Sequence, residues 1–332
     1  MVGHVAKTGE GVIVSDVTNN EHYIDMHCNT KSEMLVPIEI NGRVIGVFNV
    51  ESNMKNAYDH NDLSLMSAFA ASAAVSIERA RLHDQLVAGQ KIQQQLSIAR
   101  QIQMSFLPKT ALDLPDYDIS GENIPSEEVG GDYYDFIKIV DQQVGIAIGD
   151  VSGKGIPAAL LMASFRASLI AEIRNNYSIR TICQKVNQLL FESMEAGNFV
   201  TAVYGVLDAK NHIFTFANCG HNLPLLIRKK GDVEYLREGG PVLGVTSDVT
   251  FEDRPVYIEL GDIIILYTDG VVEVFNDKGD EYGDARLIEL IKKNHKKSTE
   301  EIRDIIYNDV KSFASDNHSF DDFTMIVLKR LK

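Results

Sequence analysis

The stretch VGIAIGDVSGKGIPAALLMA, residues 144–163, decides how this chain is read. Its first seven residues are an apolar strand that ends on Asp150. The glycine-rich turn VSGKG (151–155) follows, and then a helix predicted over 157–175. An apolar strand should not end in a bare carboxylate unless that charge has a partner. One such aspartate is an ordinary turn former, but the pattern recurs. IIILYTD (263–269) ends on Asp269, followed by Gly270. Asp321 and Asp322 directly precede the strand FTMIVLK (323–329). Asp132 follows Gly130-Gly131 just before another strand. Several carboxylates at the mouths of apolar strands point to a shared hard-cation site. Oxygen ligands with no neighbouring His or Cys favour Mg²⁺ or Mn²⁺ over Zn²⁺. Two divalent ions would balance four carboxylates. Such a pair can acidify a bridging water and clamp a phosphoryl group for in-line attack.

Outward from this stretch, the pattern predicts strands at 117–123, 135–140, 144–150, 199–208, 212–219, 223–229, 256–260, 262–270 and 323–329. It predicts helices at 157–175, 179–195, 283–294 and 298–316. The strands come in hairpin-like pairs and the helices in two blocks. That is an α+β domain with antiparallel sheets, not a βαβ alternation. No internal repeat or low-complexity tract is visible.

The N-terminal 75 or so residues read as a smaller α/β unit with strands VIVSDV (12–17), MLVPIEI (34–40) and RVIGVFNVES (43–52). Asn41-Gly42 between the last two is a hairpin signal, since both residues accept the positive φ of a type I′ turn. His60-Asn61-Asp62 offers an N-cap to an alanine-rich helical run. A second helical stretch covers 90–107, with Ile92, Leu96, Ala99, Gln103 and Phe106 as a heptad-like seam carrying one polar position. Gly89 weakens the combined helix by about 1 kcal/mol relative to Ala, and Pro108 stops it. A helix with a weak point between two domains reads as a signal relay; the alternatives are a dimer seam or a helix packed on its own domain.

Composition narrows the function. The chain has 332 residues, 45% of them hydrophobic, enough for two cores. No segment is expected to cross a membrane, and the N-terminus lacks the apolar stretch of a signal peptide. Cys28, Cys183 and Cys219 lie far apart, which argues against a disulfide framework or a zinc site and places the protein in the cytosol. A formal net charge of −15 disfavours nucleic acid. It also repels a phosphorylated substrate, unless bound cations invert the local field.

The strings GGDYYDF (130–136), GDVSGKGIPAALLMA (149–163), FVTAVYGVLD (199–208), NCGHNLP (218–224), LYTDGVVEV (266–274) and DDFTMIVLK (321–329) occur in this order. Together, over about residues 97–332, they resemble the bacterial SpoIIE/RsbU branch of the PPM superfamily of metal-dependent protein phosphatases. The resemblance implies an α-β-β-α sandwich and a serine/threonine phosphatase with two Mn²⁺ or Mg²⁺ ions. It implies that Asp150 bridges both metals, helped by the Val151 carbonyl. Asp269 and Asp321 would hold the second metal, and Asp132 would complete the cluster. Asp322 is the alternative to Asp321. Many eukaryotic relatives have a His at the position of Ser152 and an Arg at that of Glu127. A general acid is therefore not identified, and a metal-bound water is the default. Lys154 reads as a solvated turn lysine, with an approach to phosphate as the alternative, and His221 as a turn-stabilising residue rather than a catalyst.

GHVAKTGEGVIVSDV (3–17) and MLVPIEINGRVIGVFNVES (34–52) resemble the later part of a GAF sensor domain, without its usual first helix and opening strands, so this domain is expected to be truncated. SIARQIQMSFLPK (97–109) resembles the regulatory helix joining sensor to phosphatase. The implied organisation is a partial GAF-like domain at 1–80, a helical linker at 81–109 and a phosphatase domain at 110–332. The expected partner is a phosphorylated protein, a STAS-type anti-sigma-factor antagonist, with a homodimer formed through the linker helix and GAF-like domain. His27-Cys28 reads as an ordinary loop pair. A P-loop is excluded because Gly149 to Lys154 is one residue short and Gly155 replaces the metal-ligating hydroxyl. GGDYYDF shares only GGD with a diguanylate cyclase. A partner-switch module that binds its phosphoprotein without cleaving it is the remaining alternative; loss of metal aspartates would mark it, and here all are present.

Overall fold

In the computed structural model, which describes residues 1–20, 23, 29–108, 114–314 and 321–332, internal contacts divide the chain into two units, Met1–Gln94 and Gln95–Lys332. The His27-Cys28 pair lies outside the described residues. The first unit contains α1 (Val2–Thr8), which the sequence pattern missed, β1 (Val12–Val14), a 3-10 turn (Val17–Asn19), β2 (Ser32–Ile40), β3 (Arg43–Ser52) and the start of α2 (His60–Met104). Its antiparallel sheet has the order β1-β2-β3. Asn41 and Gly42 adopt φ of 50° and 79°, the twist that the hairpin requires. Met34, Val36 and Ile38 alternate along β2 and bury against Ala70 and Ala74 of α2.

Helix α2 differs from its expected form in two ways and keeps it in a third. Its cap is Asp59, one residue before the predicted signal. The Asp59 carboxylate accepts from the Asn61 and Asp62 N–H groups at 2.7 and 3.0 Å, while Asp62 accepts from the Asp59 N–H at 2.9 Å. This reciprocal arrangement satisfies orphan donors as a capping box does. The helix also runs through Gly89 unbroken; a single glycine costs too little to end it. The seam residues Gln103 and Phe106 are turned into their own unit: Gln103 is buried and Phe106 packs against the core. The polar position in the seam therefore meets a partner within its own domain.

The second unit contains β4 (Tyr117–Ile124), β5 (Tyr133–Val140), β6 (Gln143–Val151), α3 (Gly155–Asn175), α4 (Ile179–Ser193), β7 (Val200–Asp208), β8 (Ile213–Cys219), β9 (Leu225–Ile227), β10 (Val233–Tyr235), β11 (Gly239–Gly240), β12 (Arg254–Tyr257), β13 (Ile263–Tyr267), α5 (Gly283–Asn294), α6 (Thr299–Phe313) and β14 (Phe323–Arg330). One sheet has the order β10-β9-β13-β14-β4. The other has β11-β8-β7-β6-β5, with β12 also on β8. Alternation sorts the side chains of β13 and β14 between two cores. Ile264, Leu266, Ile326 and Leu328 face the opposite sheet, while Ile263, Ile265, Met325 and Val327 face α5 and α6. Helices α3 and α4 cover the outer face of the second sheet. The result is the expected α-β-β-α sandwich. Strands 223–229 and 256–260 are shorter than predicted, at Leu225–Ile227 and Arg254–Tyr257.

Helix α3 is more apolar than the sequence reading allowed for. Its best 18-residue window has a mean hydropathy of 1.5, so by length and composition it could cross a bilayer. In this fold Ala158, Met162, Phe165, Leu169 and Ile173 form one buried stripe, the pattern of a core-facing helix. Cys183 and Cys219 are free, buried thiols.

The two sheets touch where Gly121 of β4 meets Tyr134 of β5. The Tyr134 hydroxyl donates to the Gly121 carbonyl at 3.1 Å, and a Cβ on Gly121 would stand 2.4 Å from the ring. Gly121→Ala should lower stability by about 1–3 kcal/mol, the usual range for overpacking. A fall in the urea midpoint at unchanged slope would show it; an unchanged midpoint would mean the ring has room to move.

Candidate metal centre

Strand pairing delivers the aspartates to one edge of the sandwich. Tyr133 pairs with Gly149, so Asp132 enters β5 beside Asp150 near the end of β6. In the other sheet Tyr267 pairs with Met325, so Asp269 leaves β13 where Asp321 approaches β14. All four carboxylates and Val151 line one cavity of about 290 Å³. Asp322 does not line it. Its Oδ1 accepts from the Ser126 N–H and hydroxyl, both at 2.8 Å, and its Oδ2 from the Gly131 N–H at 2.9 Å. Its carboxylate is therefore satisfied by protein donors and anchors the turn that leads into Asp132.

Three of the four aspartates have a specific support. Asp132 is buried, and Thr268 donates its hydroxyl to Asp132 Oδ2 at 2.8 Å. Thr268 in turn accepts from the Thr324 N–H at 3.1 Å, which ties this contact to the pairing of β13 and β14. Asp269 opens a 3-10 turn, and its carbonyl accepts from the Val272 and Glu273 N–H groups at 2.9 and 2.7 Å. The turn crosses the backbone before β14 so closely that a Cβ on Gly270 would stand 2.1 Å from the Asp322 carbonyl oxygen. Only glycine fits there. Lys154 is not the free turn lysine expected: its Nζ pairs with Asp321 Oδ2 at 2.8 Å at the half-exposed mouth of the cavity.

The charges interact strongly. Burial, then the Asp150 charge, raises Asp132 well above the usual carboxylate range. Burial, then the charge of Asp269, pushes Asp150 up to about 7, while a hydrogen bond from Asp132 opposes the shift. Burial and Asp321 raise Asp269. The hydrogen bond to Asp321 raises Lys154. Crowded carboxylates that resist ionisation indicate a site short of positive charge. As the side chains stand, no three His, Cys, Asp or Glu residues converge into a ready-made cage among the described residues. Asp321 leans onto Lys154 and Asp132 onto Thr268, so each already has another partner. The donor set still fits a hard divalent cation: it is all oxygen, it is anionic, and it lies at a cavity.

Three supports escaped the sequence reading. Thr268 and Thr324 are fully buried hydroxyl residues at the ends of apolar strands, a pattern that demands polar partners. The third is the pair Thr201–His221. Thr201 sits opposite Asp150 on β7 and lines the cavity, and its hydroxyl lies 2.8 Å from His221 Nδ1. His221 also closes its turn, as expected, by donating its N–H to Asn218 Oδ1 at 2.7 Å. Ser152, at the position where a His would act as acid, accepts the Phe199 N–H at 2.9 Å.

Comparison with known proteins agrees with this geometry. Residues 140–331 match the family model described as Stage II sporulation protein E (SpoIIE), and residues 1–78 match a GAF domain. The phosphoserine phosphatase RsbU of Bacillus subtilis (strain 168) is 31% identical over 243 residues, which cover 73% of this chain and 71% of RsbU. Protein IcfG of Synechocystis sp. is 30% identical over 263 residues, 71% of this chain but 41% of that longer protein. Among solved structures, the SiaA-PP2C domain of Pseudomonas aeruginosa superposes with a TM-score of 0.65 at 21% identity, over 74% of this chain and 99% of that domain.

His221 yields a pH prediction. Burial lowers its pKa from 6.5 to about 4, and the Tyr267 carbonyl is too weak an influence to offset that. Above pH 6.5 the ring is neutral in both folded and unfolded chains. Below it the unfolded chain takes up a proton that the folded chain refuses until about pH 4, so stability falls with pH. Between pH 7 and 4.5 this one group should cost about 2 kcal/mol. Urea unfolding of His221→Gln should show an acid loss smaller by that amount; an identical loss would mean the histidine titrates normally.

Proposed function

The chain belongs to the SpoIIE family of PPM-type protein phosphatases, and from this premise we propose that it hydrolyses phosphoserine or phosphothreonine on a regulatory protein, using Asp132, Asp150, Asp269, Asp321 and the Val151 carbonyl to hold two Mn²⁺ or Mg²⁺ ions. It is a phosphatase of a metal-dependent family, similar to a phosphoserine phosphatase. The observation that carries the site reading is the delivery of four strand-end aspartates from two sheets to one cavity. Divalent cations bound there would supply a water acidic enough to lose its proton near neutrality and positive charge facing the phosphoryl group. The chain's own residues prepare for this. Asp150 is hydrogen-bonded with Asp132 of its own sheet and feels the charges of Asp269 and Asp321 from the other, so it would hold a cation together with either group. Thr268 keeps one oxygen of Asp132 engaged and so orients the other. Lys154 would leave Asp321 when a cation takes its place and become free at the mouth, where a phosphate would enter. No Arg stands at position 127 to grip that phosphate, which leaves charge at the centre itself as the main attraction.

The shallow setting supports a protein substrate. The Asp321 and Lys154 side chains at the mouth are 46% and 54% exposed, so a phosphorylated residue on a folded surface can reach them. Similarity to RsbU favours partner-switch signalling with a STAS-type anti-sigma-factor antagonist as substrate. Exposed Leu82, Leu86 and Ile92 on α2 support a homodimer formed along that helix, and the neighbouring thiols of Cys183 and Cys219, left unbridged, support a cytosolic setting.

The chain should hydrolyse an aryl phosphate only with Mn²⁺ or Mg²⁺ present, and chelation should abolish turnover. Cation charge is worth several kcal/mol to such a transition state. At 1.36 kcal/mol per tenfold, Asp150→Asn should lose on the order of a thousandfold in kcat/KM. Equal rates in wild type and variant would remove the site assignment. Binding of a phosphoprotein without metal-dependent turnover would favour the non-catalytic module instead.

A further inference from the structure

Gln103 is the one polar residue of the apolar seam at the C-terminal end of α2, and it is buried. A buried amide without partners is costly. Here both of its polar atoms are used on one residue: Nε2 donates to the Gly130 carbonyl at 2.6 Å, and Oε1 accepts from the Gly130 N–H at 3.1 Å. The side chain thus pairs with the backbone as a strand neighbour would. On the other side of Gly130 lies Asp322, so close that a Cβ on Gly130 would stand 2.1 Å from Asp322 Oδ2. The turn is gripped between an amide from α2 and a carboxylate from the sheet. Two residues further on is Asp132.

We propose that Gln103 is a positioning residue of the metal centre, whose two-point grip on Gly130 fixes the turn that presents Asp132. The proposal rests on the reading of Asp132 as a residue that holds the cation. Three features support it. The grip is made with backbone groups only, so it controls where the turn lies and not its chemistry. The Asp322 grip comes from within the sandwich, whereas the Gln103 grip comes from a helix outside it, so the turn answers to two independent elements. The end of α2 is also fastened separately: the Phe106 carbonyl accepts from Arg166 Nε at 3.1 Å, the Arg166 guanidinium stands 5.1 Å from the Phe106 ring centre, and Leu107 is buried. Loss of the amide should therefore leave the helix end in place and release only the turn. Groups that orient metal ligands typically change metal affinity by about 10–100-fold when removed.

The test uses the full chain and two readouts: Mn²⁺ binding, followed by the electron paramagnetic resonance signal of free Mn²⁺, and aryl phosphate hydrolysis across a Mn²⁺ titration. Gln103→Leu should bind Mn²⁺ about tenfold or more weakly. It should need correspondingly more Mn²⁺ for half-maximal turnover and recover most of its kcat at saturation. Gln103→Glu keeps the acceptor for the Gly130 N–H but sets a carboxylate oxygen against the Gly130 carbonyl, and should be weakened at least as much. Wild-type Mn²⁺ affinity in a folded Gln103→Leu overturns the proposal. A uniform loss of kcat at unchanged affinity does so too, since that is what a merely structural residue would give. Should Gln103→Leu lose its fold by circular dichroism, the Gln103→Glu titration decides by the same criteria. Asp132→Asn, measured in parallel, separates the two readings. Undiminished Mn²⁺ binding there removes the underlying site assignment, whereas weakened binding there with normal binding in the Gln103 variants removes the grip alone.

Discussion

Mutual repulsion among carboxylates governs the larger unit. Four aspartates at one end of a sandwich cannot all ionise cheaply, and the surroundings are arranged around that cost. Thr268 gives a hydroxyl to Asp132, Lys154 gives its charge to Asp321, and Asp132 bonds to Asp150. Each device quiets one charge without filling the cavity. The cluster can therefore be assembled by folding and still attract a cation. The long apolar strands behind it, with Ile146, Ile148, Ile264 and Ile326 fully buried, supply the rigid frame against which the repulsion is held.

The chain's overall acidity has a local counterpart here. A phosphorylated protein approaching a surface of net charge −15 meets repulsion everywhere except where bound cations reverse the field. With Glu at 127 and Ser at 152, Lys154 is the one cationic side chain among the described residues that lines the pocket. Affinity for phosphate and occupancy by metal are then coupled: conditions that loosen the cations should also weaken the hold on substrate. With that coupling, a small change in the placement of one carboxylate would alter both.

Much of this was legible in the sequence, for identifiable reasons. Strand ends could be read because apolar runs stop abruptly at aspartates, and the antiparallel pairing followed from hairpin spacing. Asn41-Gly42 fixed its turn by local backbone preference alone. What could not be read depends on contacts between distant segments. The division of labour between Asp321 and Asp322 is settled by Ser126 and Gly131, nearly 200 positions away. Gln103 looked like a blemish in a heptad seam because its partner is a backbone group, which has no signature in sequence. The cap of α2 was misplaced by one residue because Asp59, Asn61 and Asp62 can all accept hydrogen bonds, and only the reciprocal geometry selects Asp59. Short strands such as β9 and β12 were overextended, since β-propensity continues beyond the point where a neighbouring strand is available to pair.

The adjacent pair Asp321-Asp322 carries a further consequence. One carboxylate faces the cavity and the other faces the Ser126–Gly131 turn. Direction along an extended chain alternates with each residue. The roles of the two acids are therefore assigned by parity, counted back from the first ladder pair of β14. Adding a single residue between Asp322 and Phe323 would exchange them, sending the turn's anchor into the cavity and the cavity's carboxylate into the turn, with composition hardly altered. Two residues would restore the facing but shift the site along the strand. This junction has to keep its count as strictly as its chemistry, and a change in chain length there would be more damaging than many changes of side chain.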